Sequence, residues 1–210
     1  MAATDLPADE ERWNHNIAYH RIVFASVPAG AVRALDVGCG EGILARRLRR
    51  VVPQVVGLDH DGEALALARA QAVPAGVSYV QGDIRHPPFP PGSFDLVASV
   101  AVIHHLYEEE ALARMAELLR PGGTLVVVGL ARSRRPSDLL IDVAAVLDHR
   151  VVHAGRPVWQ SPAPVLWPPP SSYSQVARIS ARVLPGRRFR RRLLWRYSLV
   201  WERPDVVVGP

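Results

Sequence analysis

The segment Leu35-Asp36-Val37-Gly38-Cys39-Gly40-Glu41-Gly42 sets three glycines at alternate positions after an apolar run, with a carboxylate two residues ahead of the first. Glycines at such a turn let the backbone approach a ligand closely, and the helix that follows offers free N–H groups. Dinucleotide sites use the spacing G-x-G-x-x-G, whereas Gly38, Gly40 and Gly42 give G-x-G-x-G. A carboxylate at Asp36 repels a pyrophosphate and attracts an ammonium group, directly or through water. The ligand expected at this loop therefore carries a positive charge. Asp59 follows about twenty residues later, where an acid can hydrogen-bond both hydroxyls of a ribose. Asp83 can accept from the exocyclic amine of adenine while Ile84 packs on the ring. Amino acid, ribose and adenine are together the parts of S-adenosylmethionine (SAM).

A second set of residues has the chemistry to act on an acceptor. His104 and His105 follow a fourth strand-like segment, at the end where open α/β sheets place their ligands. A histidine titrates near physiological pH, so a neutral imidazole there can take a proton from an attacking hydroxyl; the alternative is a pair of loop histidines that pack or cap the next helix. Trp13 to His20 is rich in polar and aromatic side chains. On one helix His15 and Tyr19 share a face, as do Asn16 and His20. This segment reads as a lid with His15, Tyr19 and His20 toward substrate, or as a surface helix docked by Trp13. Trp159 and Trp167 either wall an apolar acceptor pocket or anchor their loop to the core. His149 and His153 have the spacing of a metal pair, but no carboxylate or cysteine completes a set, so exposed histidines and no metal are expected.

The elements that must position these residues alternate between strand and helix, the pattern of a parallel sheet covered on both faces. Strands are expected at Ala34–Val37, Val55–Leu58, Val77–Val80, Phe94–Ala101 and Thr124–Leu130, and helices at Ile43–Val52, Gly62–Ala72 and Glu108–Leu119. The turn Pro121-Gly122-Gly123 stops the last of these helices. Pro136 to Val152 has helical periodicity, and Pro157 to Pro170 holds six prolines and two tryptophans, which argues against regular structure there. Tyr173–Leu184 returns to helical spacing. Arg188–Leu194 and Arg196–Trp201 read as an antiparallel strand pair.

Ala34 to Gly42, Val55 to Asp61, Gly82 to Ile84, Phe94 to His105 and Leu118 to Leu130 resemble, in order, the motifs of class I SAM-dependent methyltransferases. The stretch Gly92 to Ser99 and the Leu-Arg-Pro-Gly-Gly turn at Leu119 to Gly123 are similar to the small-molecule branch, of methyltransferase type 11. The resemblance covers Arg33 to Leu130. It implies an α/β, Rossmann-like, doubly wound and mostly parallel seven-stranded sheet ending in the antiparallel pair. It also implies a cofactor, SAM, with S-adenosylhomocysteine as product, held by Asp36, Gly38, Gly40, Asp59, Asp83 and Ile84, with Cys39, His60 and Ser99 beside them. Residues 1–30 then form a lid, 33–130 the cofactor core, 132–170 a cap over the acceptor and 171–204 the closing helix and strands of one domain. Some natural-product O-methyltransferases resemble this chain in carrying His-His after the fourth strand. They also use an acid after the fifth, where this sequence has Gly129 and Leu130.

The expected reaction is methyl transfer to an oxygen, or secondarily a nitrogen, of a small acceptor, for instance in secondary metabolism. Composition bounds the alternatives. The 210 residues are 49% hydrophobic and 21% charged, a globular balance. The single Cys39 allows no internal disulfide, and the polar, acidic start lacks the features of a signal peptide, so a cytoplasmic chain with no membrane role is expected, monomer or homodimer. All 25 cations are arginine, and the net charge is +5. The clusters Arg46, Arg47, Arg49, Arg50 and Arg187, Arg188, Arg190, Arg191, Arg192 are read as solvated or fold-edge positions. A nucleic-acid methyltransferase is the runner-up, but the fourth strand ends in Ser99-Val100-Ala101-Val102 and not in the Asn/Asp-Pro-Pro-aromatic signature of base-amino methylation. A SAM-binding protein without methyl transfer is the third reading.

Overall fold

The computed structural model describes residues 9–133, 158–159 and 166–205. The predicted helix Pro136–Val152, His149, His153 and most of the predicted cap lie outside the described residues. Seven strands form one sheet: β1 (Arg33–Val37), β2 (Gln54–Asp59), β3 (Val77–Gln81), β4 (Phe94–Val100), β5 (Leu119–Leu130), β6 (Arg188–Arg191) and β7 (Arg196–Glu202). Their order is β3-β2-β1-β4-β5-β7-β6. The first five run parallel, and β7 is antiparallel to both β5 and β6. The order reverses between β1 and β4, which puts a crevice at the carboxyl ends of those two strands.

Among the described residues there are six α-helices: α1 (His15–Ala18), α2 (His20–Phe24), α3 (Ile43–Leu48), α4 (Gly62–Ala70), α5 (Glu108–Leu118) and α6 (Tyr173–Val183). Strands covered on both faces read as continuous apolar runs, as β1, β2, β4 and β5 do. One face carries Ala34, Val55, Leu96, Ala98 and Val126 against Val23 of α2 and Leu44, Ala45 and Leu48 of α3. The other carries Leu35, Val56, Val97, Val127 and Leu199 against Leu112 and Met115 of α5 and Val176 of α6. Caps fix the helix starts: the Asp61 carboxylate accepts from the N–H groups of Glu63 and Ala64, and Ser172 with Gln175 forms a capping box.

Besides the earlier ends of α3 at Leu48 and of β6 at Arg191, the structure departs from expectation in three places. β5 begins at Leu119, because Leu119 pairs with Phe94 across a register shift and the following turn is held by main-chain bonds between Gly122, Gly123 and Arg203. The N-terminal helix breaks at Tyr19, whose hydroxyl donates to Leu193 O at 3.0 Å, so His15 to His20 do not share one continuous helix. The third difference is that Arg46 is buried, 6% exposed, and not on a solvated face. Its guanidinium donates to both carboxylate oxygens of Asp9, at 2.7 and 2.8 Å. Asp95 of the fourth-strand motif accepts from Val32 N and Arg33 N at 2.6 and 2.8 Å, and so ties β4 to the start of β1. No helix among the described residues is long and apolar enough to cross a membrane.

Candidate active site

The loop after β1 is braced by β2. The N–H groups of Gly38 and Cys39 both donate to Leu58 O, and Gly40 N–H donates to Asp59 Oδ2 at 2.7 Å. Gly38 and Gly40 have φ of +70° and +53°, in the left-handed region that favours glycine. A Cβ at Gly38 would lie 2.2 Å from Val102 Cγ2, whereas one at Gly40 would meet nothing within 4 Å. The first glycine answers a close approach of chain segments; the second leaves open space in front of the loop.

Three buried polar atoms at this edge make no hydrogen bond: Asp36 Oδ2, Ser99 Oγ and His104 Nδ1. Asp36 pairs with Ala98 and Val37 with Ser99 across β1 and β4, so the Asp36 and Ser99 side chains leave the carboxyl ends of these strands on opposite faces of the sheet. Asp36 is 2% exposed. Burial first, and the neighbouring charge of Asp59 second, push its carboxyl up to about 7, against the pull of Ala45 N–H and Arg46. A ligand cation placed beside Asp36 would restore the carboxylate. An open glycine loop with an orphaned acid fits the amino-acid end of SAM.

The other expected cofactor residues are placed as follows. Asp59 is buried at the end of β2, accepting from Gly40 N–H and, at 3.0 Å, from Asp61 N–H. His60 is exposed, its Nδ1 3.3 Å from Asp59 Oδ1. Asp83 is engaged by Arg85, whose Nε donates at 2.9 Å and whose guanidinium holds the carboxyl below its ordinary range. Ile84 is 4% exposed and sits within the larger core cluster. The Cys39 thiol is pushed up by burial, then by Asp36 and Asp59, and stays protonated.

His104 and His105 lie on a short 3-10 turn, Ile103–His105, with ring centroids 4.1 Å apart. His104 is buried, and burial, followed by the charges of His105 and Arg196, lowers it to about 4. Burial and then His60 also lower His105. Both imidazoles are neutral at neutral pH. The gap at Gly129, where the resemblance puts an acid, is occupied: a Cβ there would lie 2.3 Å from the Tyr197 hydroxyl. Nearby Glu108 is buried, and neither of its carboxylate oxygens makes a hydrogen bond. Desolvation raises its pKa.

The N-terminal segment and Trp159 meet on a residue that sequence reasoning passed over, Glu41. Its carboxylate accepts from Arg12 at 3.0 Å and from the Trp159 indole N–H at 2.7 Å. Arg12 also lies over the Trp159 ring, 4.7 Å from its centroid. Trp159 N–H donates to Trp13 O at 2.7 Å, and Asn14 donates to Trp159 O. His15 packs edge-on against Trp13. His20 is buried, lowered to about 3 by burial and then by Arg47. Trp167 meets Trp195 edge-on at 5.3 Å. The only advance signal for Glu41 was an acid between two glycines. Arg21, Arg188, Arg190 and Arg192 line a groove between α2 and the β6–β7 edge. Among the described residues no cluster of three metal-ligating side chains occurs.

A methyltransferase-domain family model matches residues 35–127. The chain is 35% identical over 199 residues to an uncharacterized methyltransferase of Mycobacterium tuberculosis, covering 93% of this chain and 99% of that one. It is 33% identical over 148 residues to a ubiquinone biosynthesis O-methyltransferase of Cronobacter sakazakii, covering 67% of this chain and 60% of the relative. Among solved structures it is similar in fold to the [4+2]-cyclase SpnF, with a TM-score of 0.66 at 17% identity over 95% of this chain and 86% of that one. A Haemonchus contortus phosphoethanolamine N-methyltransferase, solved with S-adenosylhomocysteine, has a TM-score of 0.58 at 23% identity, covering 85% of this chain and 38% of the other.

Proposed function

The chain belongs to the class I SAM-dependent methyltransferases, and we propose that it methylates an oxygen of a small organic acceptor, with nitrogen the second choice. The observation that carries this reading is His104, a buried neutral imidazole with an unpartnered nitrogen at the end of β4. SAM supplies an electrophilic methyl group, and its displacement needs chiefly alignment. Asp36 and the Gly40 cradle would hold the amino-acid end and Asp59 the ribose. His104 would take the proton of an attacking hydroxyl, and a residue lowered to about 4 suits hydroxyls that are already acidic, such as phenols and enols. The name of the relative, a ubiquinone biosynthesis O-methyltransferase of which this chain spans 60%, agrees with an oxygen acceptor.

The test is S-adenosylhomocysteine release across phenolic, enolic and amine acceptors. Turnover of a phenol is expected, with His104→Gln slowing it by about a hundredfold while S-adenosylhomocysteine binds as before. No turnover of any acceptor, or an unchanged rate in the variant, would remove the reading.

A further inference from the structure

Because β7 runs antiparallel to β5, its first residue stands where the parallel strands end: Arg196 is the register partner of Leu130. Arg196 is 9% exposed. Its Nη1 donates to Leu194 O at 2.9 Å and its Nη2 to Asn16 Oδ1 at 2.7 Å, both neutral acceptors, and its buried Nε has no partner. The side chains that favour its charge are Tyr19 and Tyr173, neither of them a carboxylate. The Tyr19 ring lies 5.8 Å from the guanidinium. A guanidinium withdrawn from water is ordinarily paired with an acid, and among the described residues this one has none.

Its surroundings belong to the acceptor side of the site. His104 is close enough to feel the Arg196 charge. Arg132, two residues beyond Leu130, has its own buried Nε without a partner, and so does the neighbouring Ser133 Oγ. A cationic methyl donor would add a further positive charge. Two arginines and a hydroxyl at one sheet edge, with no acid paired to Arg196 among the described residues, leave a negative charge to be supplied from outside.

We propose that Arg196 anchors an acidic group of the methyl acceptor, so that the acceptor is an organic oxyanion bearing a carboxylate or a phosphate. This rests on the small-molecule reading above. A planar, permanently charged fork with an open Nε suits such a group, and the anchor would hold the molecule while His104 faces the oxygen to be methylated.

Calorimetry on the protein saturated with S-adenosylhomocysteine tests the anchor without any need for turnover. Salicylate is expected to bind at least about tenfold more tightly than salicylamide, with phenyl phosphate against phenol deciding whether phosphate is preferred. Arg196→Gln should abolish the preference and Arg196→Lys should keep part of it, with S-adenosylhomocysteine affinity unchanged in both. If neither anion outranks its neutral partner on the wild-type protein while S-adenosylhomocysteine still binds, the anchor is wrong and the methyltransferase reading stands. If S-adenosylhomocysteine itself does not bind, it is the cofactor assignment that fails. The wild-type comparison holds even if Arg196→Gln does not fold.

Discussion

At the residue scale, an Asp36 carboxyl facing the ammonium group of the cofactor, as proposed, would couple binding to pH. Burial raises it to about 7, so on acidification the free protein holds a proton that an incoming ammonium group must expel. Binding of S-adenosylhomocysteine should therefore weaken by up to about tenfold per pH unit below about pH 7. Asp36→Asn should bind weakly at every pH with little dependence on it. Calorimetry in buffers of different ionisation enthalpy would show proton release on binding near pH 6, and affinity independent of pH would remove Asp36 from the ammonium site. The left-handed turn at Gly38 and Gly40 was legible in the sequence, because the backbone conformation itself asks for glycine. Glu41 and Arg196 were not, because their meaning comes from partners 118 and 180 positions away.

At the element scale, the strands β1 to β5 and the helices after β1, β2 and β4 were legible from apolar runs and turn residues, each a local signal. The insertion of β7 between β5 and β6 was not, since period-two patterning identifies a strand and not its neighbour. The break at Tyr19 was equally hidden, fixed by a hydroxyl bond to Leu193 across the molecule. The N-terminal segment is held over the glycine loop by the Glu41 cluster, and that yields a test of the lid. Trp159→Phe removes the indole N–H from a buried carboxylate, a loss of about 1–3 kcal/mol. Amide exchange in α1 and the preceding turn should quicken by about tenfold or more, and S-adenosylhomocysteine should bind several-fold more weakly. Exchange in β4 and β5 should not change. Uniform acceleration throughout would mean that Trp159 supports the core and not a lid.

At the scale of the whole molecule, the buried titratable groups act on folding in opposite directions. His20 and His104 fall from 6.5 to about 3 and about 4. The unfolded chain takes up their protons first, so their stabilisation is complete above about pH 6.5 and is lost as the pH falls toward 4. Asp36, raised from 3.8 to about 7, is protonated first in the folded state and offsets part of that loss over the same window. Near pH 5 the unfolded chain thus binds two protons that the folded chain lacks, and the folded chain binds one that the unfolded chain lacks. The net is one proton, or up to about 1.4 kcal/mol of stability lost per pH unit. A bound ligand cation that keeps Asp36 ionised removes the offset, so saturation with S-adenosylhomocysteine should steepen the loss toward about 2.7 kcal/mol per unit. Urea unfolding at several pH values between about 7.5 and 4.5, with and without the ligand, measures both slopes. Stability that holds or rises on acidification would contradict the neutral state assigned to His20 and His104, and parallel slopes with and without ligand would contradict the role of Asp36. The same carboxyl that tunes cofactor affinity would then set how much the cofactor stabilises the fold.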